Sequence, residues 1–164
     1  MAMKYYAGIG SRETPADVMV RMTTIARRLA GLGYVLRSGG ADGADTAFED
    51  GAGQAKEIWV PWIGFRDNPS TLTPVPDAFP IAEKYHPNWQ RCSPAARKLH
   101  ARNVHQVLGA DLRTPVEFVL CWTKDGGVSG GTGQAIRIAL GMQIPVYFLN
   151  DTTTTEAFLD GLLP

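Results

Sequence analysis

The sequence predicts an α/β domain, built on a mainly parallel sheet of about five or more strands with helices on both faces. Two observations support this fold class. Strand-length apolar segments alternate along the chain with segments of helical period. One of them, "VEFVLCW" (116–122), is almost continuously apolar, as expected for a strand covered on both faces. No composition break marks a second domain, so the interpretation is a single domain over residues 1–164.

Five strands and five helices account for most of the chain. The predicted strands are 4–9, 34–38, 56–62, 116–122 and 144–149. Thr14 is predicted to cap a helix whose first residue is Pro15 and which "GLG" (31–33) ends. Two further helices are expected around 44–51 and from Pro94 to Gly109. A fourth helix should follow the glycine-rich loop after residue 122, and a fifth should lie in the tail. The run "TTTT" (152–155) before that last helix is interpreted as a loop and N-cap.

The stretch 63–93 is the exception to this alternation. It contains several Pro and Asn residues and shows no sustained period. A structureless segment of this length in a small domain is usually functional or mobile. We therefore expect a long insertion or lid loop, or a partner surface.

Composition restricts the classes of function. Lys and Arg number 16, and Asp and Glu number 16, so the formal net charge is zero. Without an overall positive field, binding to nucleic acid requires a local basic patch and is not favoured. No apolar run approaches the ~20 residues of a membrane span, and the N-terminal residues do not resemble a signal peptide, so we expect a cytoplasmic protein without membrane contact.

Cysteine and histidine give no sign of a metal site in the sequence. Cys92 and Cys121 are too few for a disulfide framework and lack metal-ligand spacing. His86, His100 and His105 also lack ligand spacing, since the last two do not share a helix face. The sequence therefore predicts no metal and no certain cofactor.

Three strand ends carry glycine-rich segments. They are "GIGSRE" after the first strand, "RSGGADGAD" after the second and "WTKDGGVSGGTGQ" after the fourth. Ligands of parallel α/β sheets bind beyond the carboxyl ends of the strands, and the helix that follows each loop offers unpaired N–H groups to an anion. We expect the three loops to converge on a nucleotide-sized pocket, although none matches a Walker A loop or a dinucleotide fingerprint.

Several side chains near these loops have both a functional and a structural interpretation. Asp42 and Asp45 could accept hydrogen bonds from ribose, hold a metal or water, or cap the helix, and Glu49 could share a helix face with Asp45 or be solvated. Arg12 could grip a phosphate or form a surface ion pair with Glu13. Each of Trp62 and Trp122 is predicted to end a strand, where the ring could stack on a base or pack in the core. The predicted ligand-binding residues are Gly10, Ser11, Arg12, Ser38, Gly39, Gly40, Asp42, Gly43, Asp45, Trp62, Arg102, Asn103, Trp122, Ser129, Gly130, Gly131, Thr132 and Gly133.

In chain order, "GIGSRETP", "RSGGADGADTAFEDGA", "RN" at 102–103 and "GGVSGGTGQAIRIALGMQIPVYFL" resemble the SLOG superfamily. This superfamily includes DNA-processing protein A, the Lonely Guy phosphoribohydrolases and small YspA-like proteins of bacteria and phages, and the small YspA/DprA-like branch is the most similar. The resemblance covers nearly the whole chain except 63–93. It implies a Rossmann-like fold, a nucleotide or nucleotide-derived ligand at the glycine loops, and a homodimer or higher homo-oligomer.

The chain departs from the Lonely Guy pattern, Gly-Gly-x-Gly-Thr-x-x-Glu. Aligned on Gly130–Gly133, the threonine position is Gln134 and the glutamate position is Arg137. This puts hydrolase chemistry of that type in doubt.

Three functions remain open on the sequence. The first is a binding protein that acts as a sensor, carrier or sequestering agent for a nucleotide-derived molecule. The second is a nucleotide N-glycosidase or phosphoribohydrolase with Asp45 or Glu49 as its acid–base group. The third is a DprA-like mediator that binds single-stranded DNA.

Overall fold

The computed structural model describes residues 2–163 as an α/β fold with one five-stranded parallel sheet. The strands are β1 (Lys4–Gly10), β2 (Tyr34–Ser38), β3 (Lys56–Ile58), β4 (Val119–Trp122) and β5 (Val146–Phe148). The helices are α1 (Ala16–Gly31), α2 (Ala44–Ala52), α3 (Ala78–Tyr85), α4 (Pro94–Leu108), α5 (Gly130–Gly141) and α6 (Thr152–Leu162). The predicted fold class is confirmed.

The strand order is β3-β2-β1-β4-β5, and every neighbouring pair is parallel. The chain therefore builds one half of the sheet outward from β1 to β3. It then crosses back and builds the other half from β4 to β5. The two halves meet between β1 and β4, where the register pairs Gly8 with Leu120 and Gly10 with Trp122.

The core is divided between the two faces of the sheet because alternate strand residues point to opposite sides. Tyr6, Leu36 and Leu120 lie in a cluster with α1, α2 and α6. Ala7, Val119 and Cys121 lie in the other cluster, with α3, α4 and α5. No helix among residues 2–163 combines the length and apolar character needed to span a membrane.

Several predicted element bounds were wrong. Helix α1 begins at Ala16, and Pro15 rather than Thr14 is its N-cap, because the Thr14 hydroxyl donates to the Ser11 carbonyl at 2.6 Å. The third strand ends at Ile58, after which Trp59 forms an isolated parallel bridge with Leu72. The threonine run lies inside α6, which Asp151 caps by accepting from the Thr153 and Thr154 amides.

The 63–93 insertion is more ordered than its sequence suggests. It contains α3 and two short 3₁₀ turns, Phe65–Asp67 and Trp89–Arg91. Helix α3 is short, and its buried residues Ala78 and Ala82 pack into the core beside α4 and α5. Tertiary packing of this small apolar face stabilises a helix too short to form alone.

The close approach of α1 and α2 depends on Gly51. A Cβ added at Gly51 would lie 2.1 Å from the Thr23 carbonyl oxygen. The same contact region contains a hydrogen bond from the Thr23 hydroxyl to the Ala47 carbonyl at 2.9 Å.

We predict that Gly51→Ala lowers the free energy of unfolding by about 1–3 kcal/mol, because two helix backbones must separate to admit the methyl group. Urea unfolding measures this effect. Gly31→Ala is the matched control, because a Cβ there meets nothing within 4 Å. Equal stabilities of the two variants would contradict the predicted close packing.

Candidate functional site

A cavity of about 930 Å³ opens at the carboxyl ends of β1 and β4, where the two halves of the sheet meet. This is the topological switch point, at which parallel α/β sheets bind their ligands. The volume lies within the range of small-molecule sites. The position of the cavity follows from the strand order rather than from any single loop.

The three glycine-rich segments converge on this cavity, as the sequence predicted. Residues 10–13 reach it from β1, Ala41 and Asp45 from the segment after β2, and residues 123–125 and 129–132 from the segment after β4. Helix α4 adds one wall, and Phe65 and Arg66 of the insertion contribute to the lining. The segments that follow strand ends therefore supply most of the lining.

The N-terminus of α5 presents unpaired donors to the cavity. The first helical hydrogen bond runs from the Gly133 amide to the Ser129 carbonyl at 2.9 Å. The amides of Gly130, Gly131 and Thr132 have no acceptor within residues 2–163. The side chain of Ser129 does not cap them, because its hydroxyl donates to Asp125 at 2.6 Å. These N–H groups, together with the helix dipole, form an anion-binding feature.

The floor of the cavity contains a buried carboxylate and a buried guanidinium, Asp45 and Arg102. Burial raises the pKa of Asp45 to about 6, although the Arg102 charge and an amide donor from Ala41 (3.3 Å) oppose the shift. Burial also lowers the pKa of Arg102 to about 10, against the attraction of Asp45. The pKa of the Asp45 carboxyl group therefore lies about one unit below neutral pH.

Arg102 is fixed by backbone and side-chain acceptors. Its guanidinium donates to the carbonyls of Gly39 and Trp59 and, at 2.9 Å, to the side chain of Asn103. Gly39 must lack a side chain here, because a Cβ would lie 2.7 Å or less from atoms of Gln106, Arg102 and Asp45. This glycine makes room for the polar floor and does not itself line the cavity.

Two further polar side chains of α4 face the cavity. The Asn103 amide donates to the Gly131 carbonyl at 3.0 Å, which ties α4 to the first turn of α5. Gln106 is buried, and its side-chain amide makes no hydrogen bond to any of the described residues. An unengaged amide next to a cavity is a group that a ligand can satisfy.

The rim carries exposed charges of both signs. Lys124 pairs with Glu13 at 3.3 Å, and Arg66 pairs with Asp42. Arg12 lines the cavity and has no hydrogen bond or ion pair within the described chain. The pKa of Asp125 is held below its usual value by hydrogen bonds from Ser129 and the Gly127 amide. Of the rim cations, Arg12 is therefore the one that is free to bind an anion.

Ten of the predicted ligand-binding residues line the cavity, and eight do not. The first group is Gly10, Ser11, Arg12, Asp45, Arg102, Asn103, Ser129, Gly130, Gly131 and Thr132. The second is Ser38, Gly39, Gly40, Asp42, Gly43, Trp62, Trp122 and Gly133, none of which is in the lining. Their role as ligand contacts remains a prediction without support from this geometry.

Structural roles explain several members of the second group. Ser38 donates to the Gly8 carbonyl at 2.6 Å, and Gly43 lets α2 approach the Ser11–Arg12 backbone, with a φ of 80°. Trp62 does not end β3, because that strand stops at Ile58. The Trp62 ring packs edge-on against Phe65. Trp122 does end β4, but it packs against the core.

Of the two predicted acid–base candidates, only Asp45 reaches the cavity. Glu49 is bound to Lys56 (2.9 Å) and to Asn68 (3.0 Å), away from the lining. Its partners come from β3 and from the insertion, and neither could be inferred from helical spacing.

The positions that depart from the Lonely Guy pattern hold the insertion in place. Gln134 is fully buried and donates to the Ala82 carbonyl at 2.8 Å. Arg137 donates to the Tyr85 carbonyl at 2.9 Å and to the Gln134 side chain at 2.8 Å. These two residues of α5 therefore bind the backbone of α3.

We predict that the stability difference between the protein and its Asp45→Asn variant depends on pH. The Asp45 pKa is raised from 3.8 to about 6 on folding, so the native state retains a proton that the unfolded chain loses between these values. The protein should lose about 1–3 kcal/mol relative to the variant as pH rises from about 4 to about 7.

Urea unfolding of both proteins across this range measures the difference. Arg102 stays charged throughout, so it does not contribute to the slope. A constant difference, or one that grows in favour of the protein with pH, would contradict the raised pKa.

Comparisons with known proteins support the fold. No protein-family model matches the chain, and no curated protein sequence matches it. Among solved structures, one match is DNA processing protein A from Helicobacter pylori, whose structure describes single-stranded DNA binding. It has a TM-score of 0.60 and 22% identity, over 96% of this chain and 72% of the other.

A second match is the Moco carrier protein of the alga Chlamydomonas reinhardtii. It has a TM-score of 0.56 and 15% identity, over 99% of this chain and 85% of the other. At these identities the matches establish the fold and leave the ligand undetermined. The chain thus has a Rossmann-like α/β fold, as expected from its sequence.

Proposed function

We propose that the protein binds a nucleotide or nucleotide-derived small molecule in this cavity, as a sensor, carrier or sequestering protein. The observation that carries the proposal is the row of three unpaired α5 amides facing a cavity of about 930 Å³ at the switch point of the sheet. Amides so placed are suited to a phosphate or another compact anion.

The phosphate end of the ligand is assigned to the α5 terminus and Arg12. A Cβ added at Gly130 or Gly131 would meet nothing within 4 Å, so an anion can approach both amides closely. The Arg12 guanidinium is unengaged, and its planar fork can form two parallel hydrogen bonds to a phosphate. One helix terminus and one cation suit one or two phosphate groups.

The sugar and base are assigned to the floor and the α4 wall. Asp45 offers a hydrogen-bond acceptor when ionised, and the Gln106 amide offers both a donor and an acceptor. Ile9, Leu99 and Phe65 add apolar surface to the lining. A few polar groups in a partly apolar cavity are the usual composition of a small-molecule site.

Two observations favour a small molecule over single-stranded DNA. The rim pairs two of its cations with acids, Lys124 with Glu13 and Arg66 with Asp42. The formal net charge of the whole chain is zero. A groove that tracks a nucleic-acid backbone needs excess positive charge. Cytoplasmic location and homo-oligomeric state remain predictions.

The raised pKa of Asp45 supports one second candidate, a nucleotide N-glycosidase. A carboxyl group with a pKa of about 6 is half protonated at about pH 6, keeps a protonated fraction of about a tenth at pH 7, and can serve as a general acid. Asp45 lines the cavity and Glu49 does not, so Asp45 is the acid–base residue of this alternative.

The direct test combines native mass spectrometry of the purified protein with calorimetric titration of AMP, ADP-ribose and NAD. The expected result is saturable binding of at least one of them without turnover. Chromatography of the same mixtures detects base release, and release that Asp45→Asn abolishes would favour the enzyme. Labelled oligo(dT) that binds at low salt more tightly than all three nucleotides would favour the DNA-binding alternative.

We predict that Gly131→Val weakens nucleotide binding at least about tenfold, because its side chain would occupy the space in front of the α5 amides. The fold should be preserved, because the position is open. Gly161→Val is the control, since Gly161 is also helical and open but lies in α6. Equal affinities of the two variants, measured by the same titration, would exclude the α5 terminus as the anion site.

A further inference from the structure

A second cluster of polar side chains lies where the insertion meets α4. It consists of His86, which ends α3, Cys92, which follows the second 3₁₀ turn, and His100 of α4. One ligand atom from each lies within 4.8 Å of the other two. The three residues come from separate elements, which is why their spacing in the sequence gave no sign of a metal site.

The separations fit a transition-metal ion. The Cys92 sulfur lies 3.7 Å from Nε2 of His86, and the two imidazole centroids are 4.4 Å apart. Zinc bound tetrahedrally, at about 2.0–2.1 Å from nitrogen and about 2.3 Å from sulfur, places its ligand atoms about 3.3–3.6 Å apart. Small side-chain rotations would therefore bring all three atoms into coordination distance.

One imidazole nitrogen of the cluster has no partner. Nδ1 of His100 is buried and makes no hydrogen bond within residues 2–163. A buried polar atom in that state is destabilising, and a metal bond to Nδ1 would satisfy it. Nδ1 of His86, by contrast, accepts from the Asn88 amide at 3.0 Å, so metal binding at Nε2 requires the other tautomer and the loss of that hydrogen bond.

The donor atoms of the cluster and the charge beside it determine which class of ion it could bind. A metal binds to the lone pair of a neutral imidazole, and the charge of Arg137 acts on both His86 and His100. The positive charge of Arg137 opposes the binding of a cation. The negative charge that Cys92 gains when its thiol loses a proton to bind the metal offsets this repulsion. Two imidazoles with a thiolate select a zinc-class ion over magnesium or calcium, which prefer oxygen ligands.

We propose that His86, Cys92 and His100 bind a zinc-class transition-metal ion that joins the insertion to α4 at the wall of the cavity. His100 also lines that cavity. Three protein ligands leave a fourth coordination position for water. The proposal departs from the metal-free expectation of the sequence and does not depend on the nucleotide ligand.

Cobalt(II) titration of the chelator-treated protein, without an affinity tag, tests the site. We expect saturation at a single equivalent, strong ligand-field bands typical of tetrahedral cobalt, a thiolate-to-cobalt charge-transfer band, and displacement by zinc. Zinc should also raise the melting temperature, because it binds only the folded arrangement of the three residues.

Matched variants assign the ligands. Cys92→Ser should abolish the charge-transfer band, and both Cys92→Ser and His100→Gln should weaken cobalt binding at least about tenfold. Cys121→Ala is the control, because that thiol is buried in β4 with its pKa raised to about 12 and should leave the titration unchanged. Melting of each metal-free variant verifies that it is folded. Absence of saturable cobalt binding in the folded protein, or binding unaffected by both ligand substitutions, would overturn the proposal.

Discussion

The buried Asp45–Arg102 pair is the constraint on which the candidate site depends. Two charges beneath the cavity have lost most of their hydration, and such groups are tolerated only when hydrogen bonds replace the lost water. Arg102 obtains these bonds from Gly39, Trp59 and Asn103, and Asp45 obtains one from the Ala41 amide. Satisfying the pair therefore fixes the ends of β2 and β3 and the position of α4.

The same constraint explains the unusual composition of "SGGADGAD". Gly39 leaves room for the Arg102 and Gln106 side chains, and Gly43 lets α2 begin against the backbone that follows β1. Neither Gly39 nor Gly43 lines the cavity. The amides left open to the cavity belong to α5, whose glycines Gly130 and Gly131 face empty space. The glycines after β2 thus allow close packing of protein atoms, whereas the glycines after β4 leave space for a ligand to approach.

Helix α5 holds the α3 part of the insertion. Gln134 and Arg137 bind the carbonyls of Ala82 and Tyr85, so the helix that offers the anion site also anchors α3. In the Lonely Guy pattern the corresponding positions are threonine and glutamate. In this chain these two positions instead provide contacts between α5 and α3.

The sequence alone determined the fold class, the parallel sheet and the three loops that meet at its edge. The period of the apolar residues and the positions of the glycines can be recognised locally in the sequence. Parallel strands place their carboxyl ends at the same edge of a sheet in any strand order. It also predicted Asp45, Arg102 and Asn103 as site residues, the last two through the family resemblance, and all three line the cavity. Only the tertiary structure decided that Asp42, Glu49 and Trp62 are engaged elsewhere. It also placed Gln106 at the cavity and brought His86, Cys92 and His100 together. These outcomes depend on the path of the insertion, which carries no periodic signal, and on contacts between residues distant in the chain.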